Sequence, residues 1–243
     1  MKLSTRESRA RRRERLQQRY ANPPKSLAER VRAWASMFFV DHGFFRYLYL
    51  NRHRVGEQAW RAAQPAPHHI RRMANDGIRT VINLRGGREF GSYPLEREAC
   101  EEAGIKFEEI VLRSRAAPDP QTLLAVRDLL NRIEYPVLFH CKSGADRAGL
   151  MSALYLLLHE GRTIEEAKDQ LALRFGHIRQ GKTGILDHFL ETYERDAKAA
   201  EEAGRTLPFI DWATTQYDPE ALKTAFTENR WASFFVDYVL RRE

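Results

Sequence analysis

Cys141 and Arg147 are the residues of this 243-residue chain whose types and spacing promise chemistry. They lie six positions apart in the string HCKSGADRAG, residues 140–149, with Gly144 between them and Gly149 following. The apolar run PVLFHC, 136–141, precedes this string and reads as a buried strand; residues 147–159 read as a helix. A strand that turns sharply into a helix aims successive backbone N–H groups inward, and the helix N-terminus adds partial positive charge. The product is an anion cradle. The same field favours a thiolate, the nucleophilic form of cysteine. An arginine across such a loop can grip two oxygens of a phosphate with its planar fork. The plain alternative is a structural cysteine in an ordinary strand–helix turn. The joint presence of His140, Cys141, Gly144, Arg147 and Gly149 in this context argues against it.

The elements that must position the string alternate strand and helix. TVINL (80–84) and IKFEEIVL (105–112) read as strands, and residues 93–103 as a helix ending at Gly104. Residues 120–134 place Leu123, Val126, Leu130 and Ile133 at helical spacing. Thr163 opens a helix with Glu166 completing a capping box, and Ile164, Ala167, Leu171 and Phe175 share its face. A last helix is expected over about 184–202. This order implies one α/β domain, a central sheet with helices on both faces.

Charge is unevenly distributed. Residues 1–32 carry 11 basic and three acidic side chains, while the remaining 211 residues are nearly neutral, so the net charge of +7 belongs to an N-terminal arm. Such an arm is either a solvated tail or a binder of anionic lipid or nucleic acid. It has no apolar core and cleavage site of a secretory signal, which points to the cytoplasm. Pro23-Pro24 ends the arm, and Ser26 with Glu29 reads as a capping box for a following helix. The stretch WASMFFVDHGFFRYLYL (34–50) is rich in large apolar residues but too polar to span a bilayer. The expectation is that it packs on the domain's flank; the rival is an interfacial segment. WASFFVD (231–237) repeats part of it, which suggests that both ends form one apolar, basic-edged surface facing a membrane or partner.

Two cysteines exclude a disulfide-rich scaffold and a four-thiolate zinc site. No histidine spacing suggests a metal site, and Cys100 reads as a half-buried bystander. GHIRQGKT (176–183) matches the nucleotide-binding pattern G-x-x-x-x-G-K-[ST], but helical spacing precedes it where a strand is required. Nucleotide binding is therefore not expected. Arg179 and Lys182 are instead candidates for drawing in anionic substrate.

HCKSGADRAG resembles the signature loop H-C-x-x-G-x-x-R-[ST]-G of the cysteine-dependent protein tyrosine and dual-specificity phosphatases. WRAAQP…HHIRRMANDGIRTVINLR (60–85) is similar to the opening of compact bacterial members. The resemblance covers about residues 58–200. It implies an α/β fold with a central, mainly parallel sheet flanked by helices. It leaves a basic flexible arm (1–32), an aromatic-rich extension (33–57) and a C-terminal extension (201–243) outside the phosphatase domain.

The resemblance also implies roles. Cys141 is similar to the nucleophile that forms a phosphocysteine, and Arg147 to the residue clamping the phosphoryl oxygens. Backbone groups of Lys142, Ser143, Gly144, Ala145, Asp146 and Arg147 would form the phosphate cradle, and His140 would support the thiolate. No metal or other cofactor is implied. The general acid is open between Asp119, in the loop RAAPDPQ, and Asp146; the reading leans to Asp146, whose bland role is helix capping. Ala148 replaces the family's usual Ser or Thr, whose hydroxyl helps the cysteine leave, so breakdown of the phosphoenzyme is expected to be slow. Ser143 is a candidate substitute. Lys142 is similar to lysines of phosphoinositide-directed loops. The implied substrate is phosphorylated protein, with a membrane lipid or other multiply phosphorylated envelope molecule as the rival. A catalytically weak phosphate-binding adaptor comes third and nucleic-acid binding fourth. Peripheral contact with an anionic membrane through the arm and aromatic ends accompanies the second reading.

Overall fold

The computed structural model describes residues 5–227. The C-terminal string 231–237, expected to pair with the aromatic stretch, lies outside the described residues. The described chain divides into two compact units. The first runs through Val111 and takes up Ile133–Ala148; the second holds Leu112–Arg132 and the described residues from Gly149 on.

A five-stranded sheet organises the first unit: β1 (His53–Arg54), β2 (Ala59–Ala63), β3 (Thr80–Asn83), β4 (Lys106–Glu109) and β5 (Val137–Cys141), in the order β1-β2-β5-β3-β4. Only β1 is antiparallel; β2, β5, β3 and β4 run parallel, so their carboxyl ends share one edge. Every residue of β5 is buried, as expected of the centre of a parallel sheet. The expected α/β class is the observed one. Helices α4 (Pro67–Asn75) and α5 (Ser92–Glu102) cover the sheet through Ile70, Met73, Ala99 and Cys100, which pack with Val81 and Leu138.

Three sequence expectations are corrected. Strand β2 and helix α4 have no counterpart in the reading above, because AWRAA holds an arginine where alternation would signal a strand. Strand β4 is half the length expected for 105–112. The helix opened by Thr163 has its capping box but ends at Lys168, as α8 (Ile164–Lys168) in the second unit. Two single 3₁₀ turns follow, separated by extended Ala172, and these bury Leu171 and Phe175.

The basic arm carries helix α1 (Thr5–Arg19), and Ser26 caps α2 (Leu27–Ala35) by accepting the Glu29 N–H. A π-helical turn, Ser36–Val40, leads to α3 (Gly43–Leu48). The flank packing expected for 34–50 is only half met. Met37 is buried with Tyr20, Ala33 and Leu95, and Trp34 and Phe38 pack against them. Phe39, Phe45, Leu48 and Tyr49, however, are 81%, 75%, 73% and 68% exposed.

The second unit also holds α6 (Pro120–Arg132), α9 (Ile185–Glu202) and α10 (Phe209–Thr215). Its core is aromatic: Phe189, Trp212 and Tyr217 lie with ring centroids 4.8–5.7 Å apart. Helix α7 (Asp146–Leu158) follows β5 after a four-residue loop. No helix among the described residues is long and apolar enough to cross a membrane.

Candidate active site

The carboxyl edge of a parallel sheet is where open α/β folds place ligands, and Cys141 ends its central strand there. Cys141 lies opposite Ala63 of β2, and His140 opposite Asn83 of β3. Residues 142–145 turn the chain, and α7 begins at Asp146, so the helix N-terminus opens five residues beyond Cys141. Its first N–H groups have no partner within the helix, which makes the turn a ready anion site.

Gly144 is required for this turn. Its φ is +77°, and an added Cβ would sit 2.6 Å from the Ala63 backbone nitrogen. The loop lies directly on the backbone of β2. Arg61, also on β2 and fully buried, donates from Nη2 to the carbonyls of Gly144 (2.9 Å) and Ala145 (2.7 Å). The Asn51 amide donates to the Ser143 carbonyl (3.0 Å), and the Ser143 hydroxyl accepts from Ala145 N–H (3.4 Å). Arg147 is half-buried, with Nη1 3.4 Å from the Arg85 carbonyl.

Behind the loop lies a polar network. His140 Nε2 is 2.6 Å from Glu96 Oε1, with both side chains fully buried. Gln64 donates to Glu96 Oε2 (2.8 Å) and accepts from Arg85. Arg85 also forms a bidentate pair with Asp41, which is fully buried and accepts from Arg46 (2.7 Å) and Ser92 (2.8 Å). The Arg85 and Arg46 guanidiniums and the Ser92 hydroxyl hold the Asp41 carboxyl below its usual range, although burial opposes them. The Lys142 ammonium lies 3.5 Å from the same carboxylate. Asp41 belongs to the aromatic extension, so that segment contributes directly to the surroundings of the loop.

Asp119, Arg179 and Lys182 belong to the second unit. Asp119 is exposed, and its Oδ1 accepts from Thr122 N–H (2.8 Å), capping α6. Asp146, in the first unit, stands in the first turn of α7, where its charge favours the helix dipole. Arg179 pairs with Glu191 at 2.6 Å, and Lys182 is exposed in a 3₁₀ turn. What precedes Gly176 is α8 and its 3₁₀ turns, not the strand that a nucleotide-cradling loop follows.

The sequence reading missed Arg61, Glu96, Gln64, Asp41 and Arg85. Arg61 and Gln64 lie in WRAAQP and Arg85 ends the TVINLR run, so the family-like segment held a signal for these three. Glu96 and Asp41 had none. Cys100 is fully buried rather than half-buried, and desolvation, then the Glu96 charge, push its thiol up. Among the described residues no group of three or more His, Cys, Asp and Glu side chains is placed to hold a metal ion.

Residues 55–161 match the family model described as "Polymorphic toxin system, DSP-PTPase phosphatase". Nothing among the curated proteins matches the chain significantly. Several solved structures are similar. TpbA of P. aeruginosa shares 21% identity over 59% of this chain and 84% of its own, with a TM-score of 0.48. A putative phosphatase of Shewanella putrefaciens shares 18% over 60% and 95%, with a TM-score of 0.49. The core catalytic domain of the PP-IP phosphatase SIW14 from S. cerevisiae shares 18% over 62% and 93%, with a TM-score of 0.46.

Proposed function

We propose that this chain, whose residues 55–161 are a cysteine-dependent phosphatase domain of the dual-specificity type, hydrolyses phosphomonoesters on protein tyrosine and related side chains through Cys141. The observation that carries the reading is the loop 141–147, which joins the central strand's carboxyl end to a helix N-terminus with cysteine and arginine at its two ends. Lys142, Ser143, Gly144, Ala145 and Asp146 contribute backbone donors, and the Arg147 fork holds the phosphoryl oxygens as charge develops.

In the first step Cys141 Sγ attacks phosphorus, the phosphorus–oxygen bond to the leaving group breaks, and Asp146 gives that oxygen a proton. In the second, water attacks phosphorus, the sulfur–phosphorus bond breaks, and the water's proton returns to Asp146. Inorganic phosphate leaves and the free cysteine is restored. His140, held by Glu96, supports Cys141 from behind. Ala148 is buried and offers no hydroxyl to the departing sulfur, so the second step is the slower. Hydrolysis of p-nitrophenyl phosphate from pH 5 to 8 with EDTA tests the reading. The expected result is activity that resists EDTA and disappears in Cys141→Ser; an active serine variant overturns it.

A second substrate reading, a membrane lipid or other multiply phosphorylated envelope molecule, is favoured by the aromatic extension. Phe39, Phe44, Phe45, Leu48 and Tyr49 are exposed there, more apolar surface than scattered surface residues account for. Helix α1 in the same unit carries exposed Arg9, Arg11, Arg12, Arg13, Arg15 and Arg19, a charge suited to an anionic bilayer. Co-sedimentation with phosphatidylglycerol vesicles, weaker with phosphatidylcholine and lost in Phe45→Ser/Leu48→Ser, is the expected result. Equal sedimentation of the variant and the parent chain removes this reading.

A further inference from the structure

A guanidinium buried to 0% exposure inside a parallel sheet is costly, because desolvating its charge takes several kcal/mol or more. Arg61 is such a group, and the direct chemistry does not use it. It stands on β2 opposite Phe139 of β5, two residues before the position facing Cys141. A single nitrogen, Nη2, reaches two consecutive carbonyls of the loop, those of Gly144 and Ala145. Charge-assisted bonds to carbonyl oxygens are stronger than neutral ones.

The consequence follows from peptide planarity. In a trans peptide the N–H points opposite the C=O. Drawing the Gly144 carbonyl toward Arg61 turns the Ala145 N–H away from it. Drawing the Ala145 carbonyl does the same for the Asp146 N–H. Both amides belong to the run 142–147: Asp146 opens α7, where N–H groups lack helical partners, and Ala145 precedes it, its N–H making a long 3.4 Å bond to the Ser143 hydroxyl. The Gly144 turn, pressed against the Ala62 and Ala63 backbone, leaves the loop no space to relax toward β2.

We propose that Arg61 is a positioning residue. It locks the Gly144 and Ala145 carbonyls against β2 so that the Ala145 and Asp146 amides face the phosphoryl group, and its buried charge adds a fixed positive field beneath the anion. The inference rests on the reading that loop 141–147 binds a phosphoryl group. Arg61 touches loop carbonyls and not substrate, so it acts through the loop.

The test compares Arg61→Lys and Arg61→Met with the parent chain. Three quantities are measured: vanadate affinity, kcat and KM on p-nitrophenyl phosphate, and the pH dependence of Cys141 alkylation by iodoacetamide. Thermal unfolding is followed in parallel. Arg61→Met is expected to weaken vanadate binding about 10- to 100-fold, to lower kcat more than it raises KM, and to move the alkylation profile to higher pH. Arg61→Lys keeps the charge but not the fork, and is expected to fall between the two. Should the methionine variant fail to fold, the lysine variant decides. A folded variant with parental vanadate affinity and alkylation profile overturns the inference and leaves the phosphatase reading standing. A parent chain with neither turnover nor vanadate affinity removes that reading and the inference with it.

Discussion

His140 Nε2 lies 2.6 Å from Glu96 Oε1, and both side chains are sealed from solvent immediately behind the cysteine that ends β5. A buried polar side chain is costly to leave without its partner. Gln64 fills the second Glu96 oxygen and ties the pair to Arg85, so the strand end, the loop after β3 and helix α5 are joined at one point. Glu96→Gln leaves His140 facing an amide. The expected cost is on the order of 1–3 kcal/mol of folding stability, read by urea unfolding, with loss of activity in the folded fraction.

The two cysteines should separate cleanly. Cys100 is fully buried and desolvation pushes its thiol up, so at neutral pH it is an unreactive thiol. Iodoacetamide at pH 7 is expected to modify one residue, Cys141, and vanadate to protect it. Cys100→Ser is expected to keep activity within about twofold. Mass spectrometry of tryptic peptides reads the first outcome; modification of Cys100 at a comparable rate refutes it.

The acid assignment divides along leaving-group dependence. Asp119 spends its carboxylate on the Thr122 N–H, so Asp119→Ala is expected to cost about 1 kcal/mol of stability through the lost cap. Its effect on relative rates is expected to be small. Asp146→Asn, by contrast, is expected to depress turnover of phenyl phosphate at least about tenfold more than that of p-nitrophenyl phosphate, whose leaving group needs no proton. The reverse pattern would transfer the role to Asp119.

Acid should weaken the first unit in a defined window. The His69 imidazole is pushed down to about 4 by burial first, then by the His68 and Arg72 charges. Its Nδ1 accepts the Ala66 N–H at 3.2 Å, so the neutral ring is the one the fold needs. With the folded value below the ordinary 6.5, the unfolded chain binds the proton first. This contribution is whole above about 6.5 and is lost progressively as pH falls toward 4. Chemical unfolding between pH 7 and 4 should show the decline, and His69→Asn should flatten it.

The candidate loop was legible in the sequence because one short string holds it. HCKSGADRAG carries the candidate nucleophile, turn glycine, arginine and helix start within ten residues, and local geometry alone makes that a loop between strand and helix. The helix boundaries from 92 to 132 were equally legible, since caps and periodicity act over one or two turns. The supporting shell was not. Arg61 precedes Cys141 by 80 positions and Asp41 by 100, and only parallel pairing of β2 with β5 and the fold of the extension bring them to the loop. A buried arginine also breaks the apolar alternation by which a strand is recognised, so β2 was hidden by the residue that makes it matter. The exposure of Phe39, Phe45 and Leu48 was likewise decided by the tertiary structure. Hydrophobicity says what a side chain prefers, and packing decides whether the fold has room for it.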